Sequence, residues 1–562
     1  MSKDFVILLT LMRLLFITYI FFTSIFLTFS QKVDFWTDLP TEDWLTNMVE
    51  EMTPEEKLGQ ILLLGYEGET PNRDIMNWIS QKHLGGVKIF GWNADNLKTL
   101  TEAISTMQEA SQSTRLKIPL FTATDQEGGW VRHIRGTTSI TPGNMAIGAT
   151  GIPDDALLTG YYIGRELRTL GINMNFAPTV DVYTNPEAHV IGPRAFSDNP
   201  YQVALLGLGF YYGLEKNRII ATAKHFPGHG HADKDSHGDL PLIDRTLEDL
   251  EAIDLVPFRF LIEENIPAIM SGHLAYPQIT EKVEPASLSY ELSQTLLREH
   301  MSYDNILITD DLYMGGAQTT GITFPDIGVE AINAGNDILL ISQTPYLHNI
   351  VWRRLLEEYN KNDAFKVRVN ESVKRILRIK RQYLYEDDRV PLNPSPQSID
   401  SHIPDPDGSK FFKDLAQRAV TLIKGDKEKL VIKPDLIISQ YSYALNYGTH
   451  LWPGARTLYY SYNPFYSYSQ REFQQIKNNV RRAKSVLFVM ATPGSYEILT
   501  QLEEYKDKIT VLSLMTPIYF RFMPWIEKGI AVYGSGNESI KAGIDTLHGD
   551  LKPTGYIPIE VN

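Results

Sequence analysis

A (β/α)8 barrel of the TIM type, followed by a smaller α/β sandwich, is the fold this sequence predicts, on three observations. Eight short apolar runs recur between residues 60 and 342, each separated from the next by enough chain for a helix. The runs are continuously apolar rather than alternating, as strands buried on both faces of a parallel sheet must be. A stretch with five prolines between Pro391 and Pro406 then leads into a second series of strand-like runs, alternating with polar helical segments.

The elements follow in order. Residues 5–29 are almost all apolar, interrupted chiefly by Arg13. Read from Met1 the segment is long enough for an N-terminal anchor; read from Met12, with Arg13 as its charge and an apolar core from Leu14 to about Leu27, it is a signal peptide. Either reading of residues 1–30 predicts an exported protein. A helix start is legible at Thr53-Pro54-Glu55-Glu56, an N-cap Thr with Pro at the first helical position and Glu three residues after the cap. Strands are expected near 60–66, 85–90, 119–125, 174–182, 219–226, 267–273, 305–312 and 336–342. Eight with interleaved helices suggest a closed barrel over residues 31–388; an open doubly wound sheet is the alternative, because periodicity does not show closure. The amphipathic helix around 365–385 carries Lys374, Arg375, Arg378, Lys380 and Arg381, read as a solvated outer face. Residues 389–410 read as a linker. Residues 411–562 form the second domain, with strands near 430–439, 456–461, 485–491, 509–515 and 529–533.

Composition narrows the function. With 562 residues, 43% hydrophobic and 22% charged, the chain has a globular profile. Its 53 Lys and Arg against 68 Asp and Glu leave a net charge of −15, which argues against nucleic acid and anionic membrane surfaces as partners. The absence of cysteine removes disulfides, thiolate metal sites and cysteine nucleophiles.

The unusual polar residues fall at expected strand ends: Asp125 at the third, Lys224 and His225 at the fifth, His273 at the sixth, Asp310 and Asp311 at the seventh. Barrel enzymes build their sites at that face. Four of the chain's 13 histidines lie between Lys224 and His237. As a metal site, His225, His229, His231 and His237 would be ligands with Asp233 or Asp235, although the spacing matches no standard zinc motif. As an acid/base loop, Asp235 would accept a proton from one nitrogen of His237 across a tight turn, leaving the other for a substrate proton. A carboxylate at a barrel strand end, as Asp310 would be, can attack a sugar anomeric carbon, although Asp-Asp-Leu alone is a weak signal; of two adjacent carboxylates on a strand, only one projects into a site.

Together these segments resemble glycoside hydrolase family 3, in its β-N-acetylhexosaminidase branch. The matching stretches are Thr124-Asp125-Gln126-Glu127-Gly128-Gly129, Asn175 to Val182, Val190 to Ser197, Lys224 to Gly230 with Asp235-Ser236-His237, Met270 to His273 with Tyr276-Pro277, Thr309 to Met314, and Ala334 to Asp337. They occur in the family's order over roughly residues 45–385. The resemblance implies Asp310 as nucleophile, His237 as acid/base and Asp235 as its partner, with Asp125, Arg194, Lys224 and His225 on the hydroxyls of the terminal sugar. It implies a retaining hydrolase acting on terminal β-linked N-acetylglucosamine of peptidoglycan fragments, chitooligosaccharides or glycans, without cofactor or metal and without a stable protein partner. Two departures stand out. Trp130 and His133 occupy positions where the family usually has Arg, the second a sugar-binding one, and His231-Ala232 replaces a usual Asp-Thr. β-Glucosidase activity, phosphorolysis and a non-catalytic glycan-binding surface role remain the alternatives. The region from Ala419 to Lys424, with Tyr533-Gly534-Ser535-Gly536 and Gly555 to Pro558, resembles the family's C-terminal α/β sandwich.

Overall fold

The computed structural model describes residues 33–318, 321–342, 345–461 and 469–561. The segment read as signal peptide or anchor lies outside the described residues. No helix of the described residues is long and apolar enough to cross a membrane.

All eight expected barrel strands form: β1 (Leu62–Gly65), β2 (Gly86–Lys88), β3 (Phe121–Thr124), β4 (Met174–Asn175), β5 (Ile220–Phe226), β6 (Ala268–Ser271), β7 (Ile306–Thr309) and β8 (Leu339–Ile341). They run parallel in the order β8-β1-β2-β3-β4-β5-β6-β7. The Thr309 amide donates to the Ile338 carbonyl at 3.0 Å and the Leu312 amide to that of Leu340 at 3.0 Å, bringing β7 back to β8. Closure therefore decides for the barrel over the open sheet. Every residue of these strands is buried, which is why the sequence shows runs and no alternation.

Helices close the barrel as the sequence indicates at Thr53, whose side chain accepts from the Glu56 amide at 3.2 Å while Glu56 accepts from the Thr53 amide at 2.9 Å. The basic helix Asp363–Leu384 differs from its reading as a solvated face. Lys380 is fully buried and donates to Gln60 Oε1 and the Gly85 carbonyl, each at 2.8 Å. Arg368 and Arg298 reach the two oxygens of buried Asp337 at 2.6 Å, and Arg381 lies under Trp44 and Tyr385. These cations turn inward because the barrel bottom offers them carbonyls, a carboxylate and aromatic faces, which a charge count along one helix does not reveal.

The second sheet has six strands: β9 (Thr421–Lys424), β10 (Leu436–Ser439), β11 (Arg456–Tyr459), β12 (Val486–Met490), β13 (Ile509–Ser513) and β14 (Gly529–Ala531). Their order is β9-β14-β13-β12-β10-β11, parallel except for β9, the antiparallel edge strand. Helix Pro406–Arg418 runs across the expected linker boundary, capped by Asp405, whose side chain accepts from the Gly408 amide at 2.9 Å.

The two units share one apolar core. Met145, Tyr183, Ile191 and Ala195 of the barrel pack in the same cluster as Tyr519, Tyr533, Ile559 and Val561. The C-terminal tail stitches the seam. The Tyr556 amide donates to the Ala149 carbonyl at 2.7 Å, the Gly555 amide to that of Val420 at 2.9 Å, and Ser197 Oγ to that of Pro558 at 2.7 Å.

Candidate active site

The polar strand ends converge on a cavity of about 340 Å³ at the C-terminal mouth of the barrel. Lys88 ends β2, Asp125 follows β3, Lys224 and His225 lie on β5, and Asp310 follows β7. Glu127 stands on a hairpin of strands Gln126–Gly128 and Val131–Arg132. Gly128 and Gly129, at φ 95° and 61°, turn that hairpin through backbone conformations that side chains disfavour.

Ion pairs form the floor. Lys224 Nζ lies 2.5 Å from Asp125 Oδ1 and 2.6 Å from Glu127 Oε1, and the Lys88 ammonium meets the other Asp125 oxygen. Arg194 grips Glu127 in fork fashion, at 2.9 Å through Nε and 2.8 Å through Nη2. Burial pushes both carboxyls up, but Lys224 and Lys88 outweigh it at Asp125, and Arg194 with Lys224 holds Glu127 down to about 2. Three cations against two carboxylates make this a floor of charged donors that a sugar's hydroxyls can address.

His225 connects floor to wall. Arg194 Nη2, which only donates, faces its Nε2 at 3.3 Å, so the Nδ1–H donates to Asp181 Oδ2 at 2.7 Å. Asp181 also accepts the His229 amide at 2.7 Å. His133 sits beside Asp125, with Nδ1 3.8 Å from Oδ2, and its ring leans on Phe90. Burial first, then Lys88, pushes it down to about 4, so it enters the site as a neutral ring.

Asp310 and Asp311 part as adjacent strand residues should. Asp311 turns to Ser342, whose hydroxyl and amide both donate to it. Asp310 faces the cavity; its Oδ1 accepts the Asp311 amide at 2.8 Å and Oδ2 has no hydrogen-bond partner among the described residues. Burial would raise Asp310, but His225 and His273, with the Asp311 amide and Lys224, outweigh it and hold the carboxyl below its ordinary value. His273 is pinned between Ser287 Oγ at 2.8 Å and the Asp311 carbonyl at 3.0 Å.

Opposite, the loop after β5 carries Asp235 and His237. Asp235 Oδ1 lies 2.6 Å from His237 Nδ1 and accepts the His237 amide at 3.0 Å. That bond, more than the neighbouring Asp310 charge, raises the imidazole above its ordinary value against burial, while Asp235, pushed up by burial, is held down by His237. The loop is seated on the segment after the Asp310 strand. The Gly316 amide donates to the Ser236 carbonyl and the Gly315 amide to that of His237, each at 3.0 Å. A Cβ on Gly315 would stand 2.4 Å from the Gly238 carbonyl oxygen.

The structure brings Asp125, His133, Arg194, Lys224, His225, His237 and Asp310 to one cavity, with Asp235 just behind His237. Trp130 lies outside it, on an adjoining cavity. The four loop histidines do not converge as ligands: His229 Nε2 meets Ser236 Oγ at 3.1 Å and His231 Nδ1 meets Thr184 Oγ1 at 3.0 Å. Sequence reasoning assigned no role to Lys88, Glu127, Asp181 or Ser236. Glu127, Asp181 and Ser236 stood inside the matching stretches, and Lys88 showed only as a lysine ending an otherwise apolar strand.

Comparison with known proteins bears on the same residues. Residues 53–379 match the Glycosyl hydrolase family 3 N terminal domain. The chain is 32% identical over 416 residues to beta-hexosaminidase A of Pseudoalteromonas piscicida, covering 67% of this chain and 68% of the relative. It is 36% identical over 279 residues to a beta-hexosaminidase of Tolumonas auensis, covering 49% and 80%. Among solved structures it resembles a glycoside hydrolase family 3 beta-N-acetylglucosaminidase from Paenibacillus sp. str. FPU-7, with TM-score 0.81 and 26% identity over 91% of this chain and 99% of that one. The family match spans more than half the chain and takes in every barrel strand and every polar strand end just described, so this protein belongs to glycosyl hydrolase family 3.

Proposed function

We propose that the protein is a retaining β-N-acetylhexosaminidase that removes terminal β-linked N-acetylglucosamine from peptidoglycan fragments, chitooligosaccharides or glycans. The observation that carries this reading is the placement of a free carboxylate oxygen on Asp310 and a carboxylate-supported imidazole on His237 in the lining of one cavity. Asp310 Oδ2 attacks the anomeric carbon as the bond to the leaving oxygen breaks, and the His237 Nε2 proton passes to that oxygen. The neutral imidazole then takes a proton from water as the water oxygen attacks the same carbon and Asp310 is released, so the configuration is retained. Asp125, Arg194, Lys224 and His225 bind the terminal sugar's hydroxyls, with Lys88 and Glu127 fixing that floor and His133 beside it. The apolar segment at residues 5–29 supports export and, if uncleaved, membrane attachment.

Phosphorolysis is the second reading, favoured by an acid/base that is uncharged when deprotonated, next to the Arg194 guanidinium, since both admit a phosphate where a carboxylate base would repel it. The test is p-nitrophenol release from the β-N-acetylglucosaminide and the β-glucoside, with and without phosphate, analysed for free sugar and sugar 1-phosphate. Preference for the N-acetyl sugar with free sugar as product is expected. Preference for the glucoside, or turnover of neither, overturns the reading, and a sugar 1-phosphate product favours the second.

A further inference from the structure

The loop that carries Asp235 and His237 leaves the end of β5 at Gly228 and returns to the barrel at Ile243 to Arg245. Its two ends meet. At the near end the Thr184 amide donates to the Gly230 carbonyl at 3.1 Å, and the Tyr276 hydroxyl to that of Gly228 at 2.6 Å. At the far end the Ile243 amide donates to the Ala275 carbonyl at 2.8 Å, and the Ala275 amide to that of Pro241 at 2.9 Å. Arg245 reaches from the far end to the near one. Its Nη2 donates to Thr184 Oγ1 at 2.8 Å, which leaves that hydroxyl's proton for His231 Nδ1, 3.0 Å away. Burial, and then the Arg245 charge, hold His231 below its ordinary value, as suits a neutral acceptor.

Behind Arg245 stands Asp254, in the break between helices Leu247–Ala252 and Val256–Glu263. It is 2% exposed, and neither of its carboxyl oxygens has a hydrogen-bond partner among the described residues. Burying a carboxyl on such terms is costly. What it keeps is an ion pair, with Arg245 Nε 3.4 Å from Oδ2, and close packing on the root of the loop. A Cβ on Gly228, whose φ is 145°, would stand 2.7 Å from Asp254 Cβ.

Resting on the hydrolase reading above, we infer that Arg245 and Asp254 are positioning residues, which close the base of the loop and thereby set the reach of the His237 proton to the leaving oxygen. The base is coupled to the tip through the loop's interior. The His229 amide is fixed on Asp181, and the His229 ring lies with Nε2 3.1 Å from Ser236 Oγ, each residue 3% exposed. Ser236 stands between Asp235 and His237, so a shift at the loop's root passes through His229 to the acid/base pair. Asp310, Asp125 and Lys224 stand on or next to β7, β3 and β5, outside the loop. The clamp therefore acts on proton transfer and leaves the attack on the anomeric carbon alone.

The experiment separates those two events in the full chain. Arg245→Gln and Thr184→Val are each assayed with the phenyl and the 2,4-dinitrophenyl β-N-acetylglucosaminide; the first leaving group needs a proton and the second departs without one. In each variant kcat/KM for the phenyl glycoside is expected to fall about tenfold or more, and that for the dinitrophenyl glycoside less than about twofold. Burial pushes Asp254 up to about 7; Arg245 pulls it down without overcoming burial, and Asp181 and Asp249 add to the rise. Arg245→Gln thus leaves a neutral acid in place of a buried charge. Thr184→Val keeps the size of the side chain and leaves the ion pair untouched, so it carries the test if Arg245→Gln does not fold. Equal falls with both substrates, as a merely structural role would give, or no fall with either, overturn the assignment. A wild-type protein that hydrolyses neither substrate instead overturns the proposed activity itself, and the assignment with it.

Discussion

Replacing Asp235 by Asn tests the proposed acid/base pair most directly. The change keeps the size of the side chain and removes the charge that holds the His237 proton 2.6 Å away. A charge-assisted hydrogen bond contributes about 1.5–3 kcal/mol when sheltered. Here 67% of the His237 side chain and 56% of that of Asp235 are exposed, and solvent screening reduces the figure to about 1 kcal/mol or less. If that support is felt in the transition state, kcat/KM at the optimum falls by up to roughly fivefold. The pH profile carries the sharper signal, because kcat/KM reports the free enzyme. Asp310 must be ionised, and its carboxyl is held below the ordinary value, so the acid limb lies below about 4. His237 must be protonated, and Asp235 raises it, so the alkaline limb lies above about 6.5. In Asp235→Asn the imidazolium loses its support and the alkaline limb moves to lower pH, while the acid limb, set by His225, His273 and Lys224, stays. Initial rates with an unactivated phenyl β-N-acetylglucosaminide, a leaving group that needs its proton, measure both limbs. An alkaline limb that does not move would refute the assignment of His237.

Three further outcomes are expected. Gly316→Ala places a Cβ 3.0 Å from the Ser236 and Asp239 carbonyl oxygens and from His273 Cβ, so the acid loop is pushed off its seat; kcat falls by up to about 100-fold, with steady-state rates showing the loss and an unchanged circular dichroism spectrum showing an intact fold. Lys88→Met leaves one Asp125 oxygen buried against no cation and costs about 3 kcal/mol in urea unfolding, with KM for the aryl glycoside raised in parallel. Asp337→Asn strips Arg298 and Arg368 of their shared carboxylate and costs about 3–5 kcal/mol by the same measurement. Burial pushes Asp337 up, but Arg298, Arg368 and Arg375 outweigh it and hold the carboxyl down to about 2. Folding therefore depresses this group, its contribution is full above about pH 4, and wild type loses it as pH falls through about 2 whereas Asp337→Asn does not.

How much of this was legible depended on whether a feature is local. Barrel strands such as Ile306–Thr309 announce themselves because burial on both faces leaves an unbroken apolar run, and the capping box at Thr53 is complete within four residues. The Asp235–His237 pair was readable for the same reason: a two-residue spacing and a turn suffice to join them. What escaped were features made by chain far away. The inward turn of Lys380 depends on carbonyl oxygens about 300 residues earlier. The role of Lys88 depends on Asp125 from the next strand, and one lysine among apolar residues carries no sign of its partner. Strand β9 is short and antiparallel at an edge, half-buried for most of its length, so it lacks the apolar run that marked its neighbours. Trp130 could be noticed as unusual from its position, but the second wall that makes a crevice of its surroundings comes from strand ends more than 300 residues downstream.

The seam between the two units has a consequence for how the chain is made. Barrel residues Met145, Tyr183 and Ile191 are covered by Tyr519, Tyr533, Ile559 and Val561, and the stitches to Ala149 and Ser197 come from Tyr556 and Pro558. The final cover is thus made by chain that is synthesised well after the barrel. At ordinary rates of translation the roughly 180 residues after the barrel take about 10–35 s to appear, and throughout that interval the nascent barrel shows an uncovered apolar flank. A chaperone would meet the nascent protein as a barrel with one open side, and docking of the second unit, more than closure of the barrel, marks the moment at which it becomes safe from aggregation.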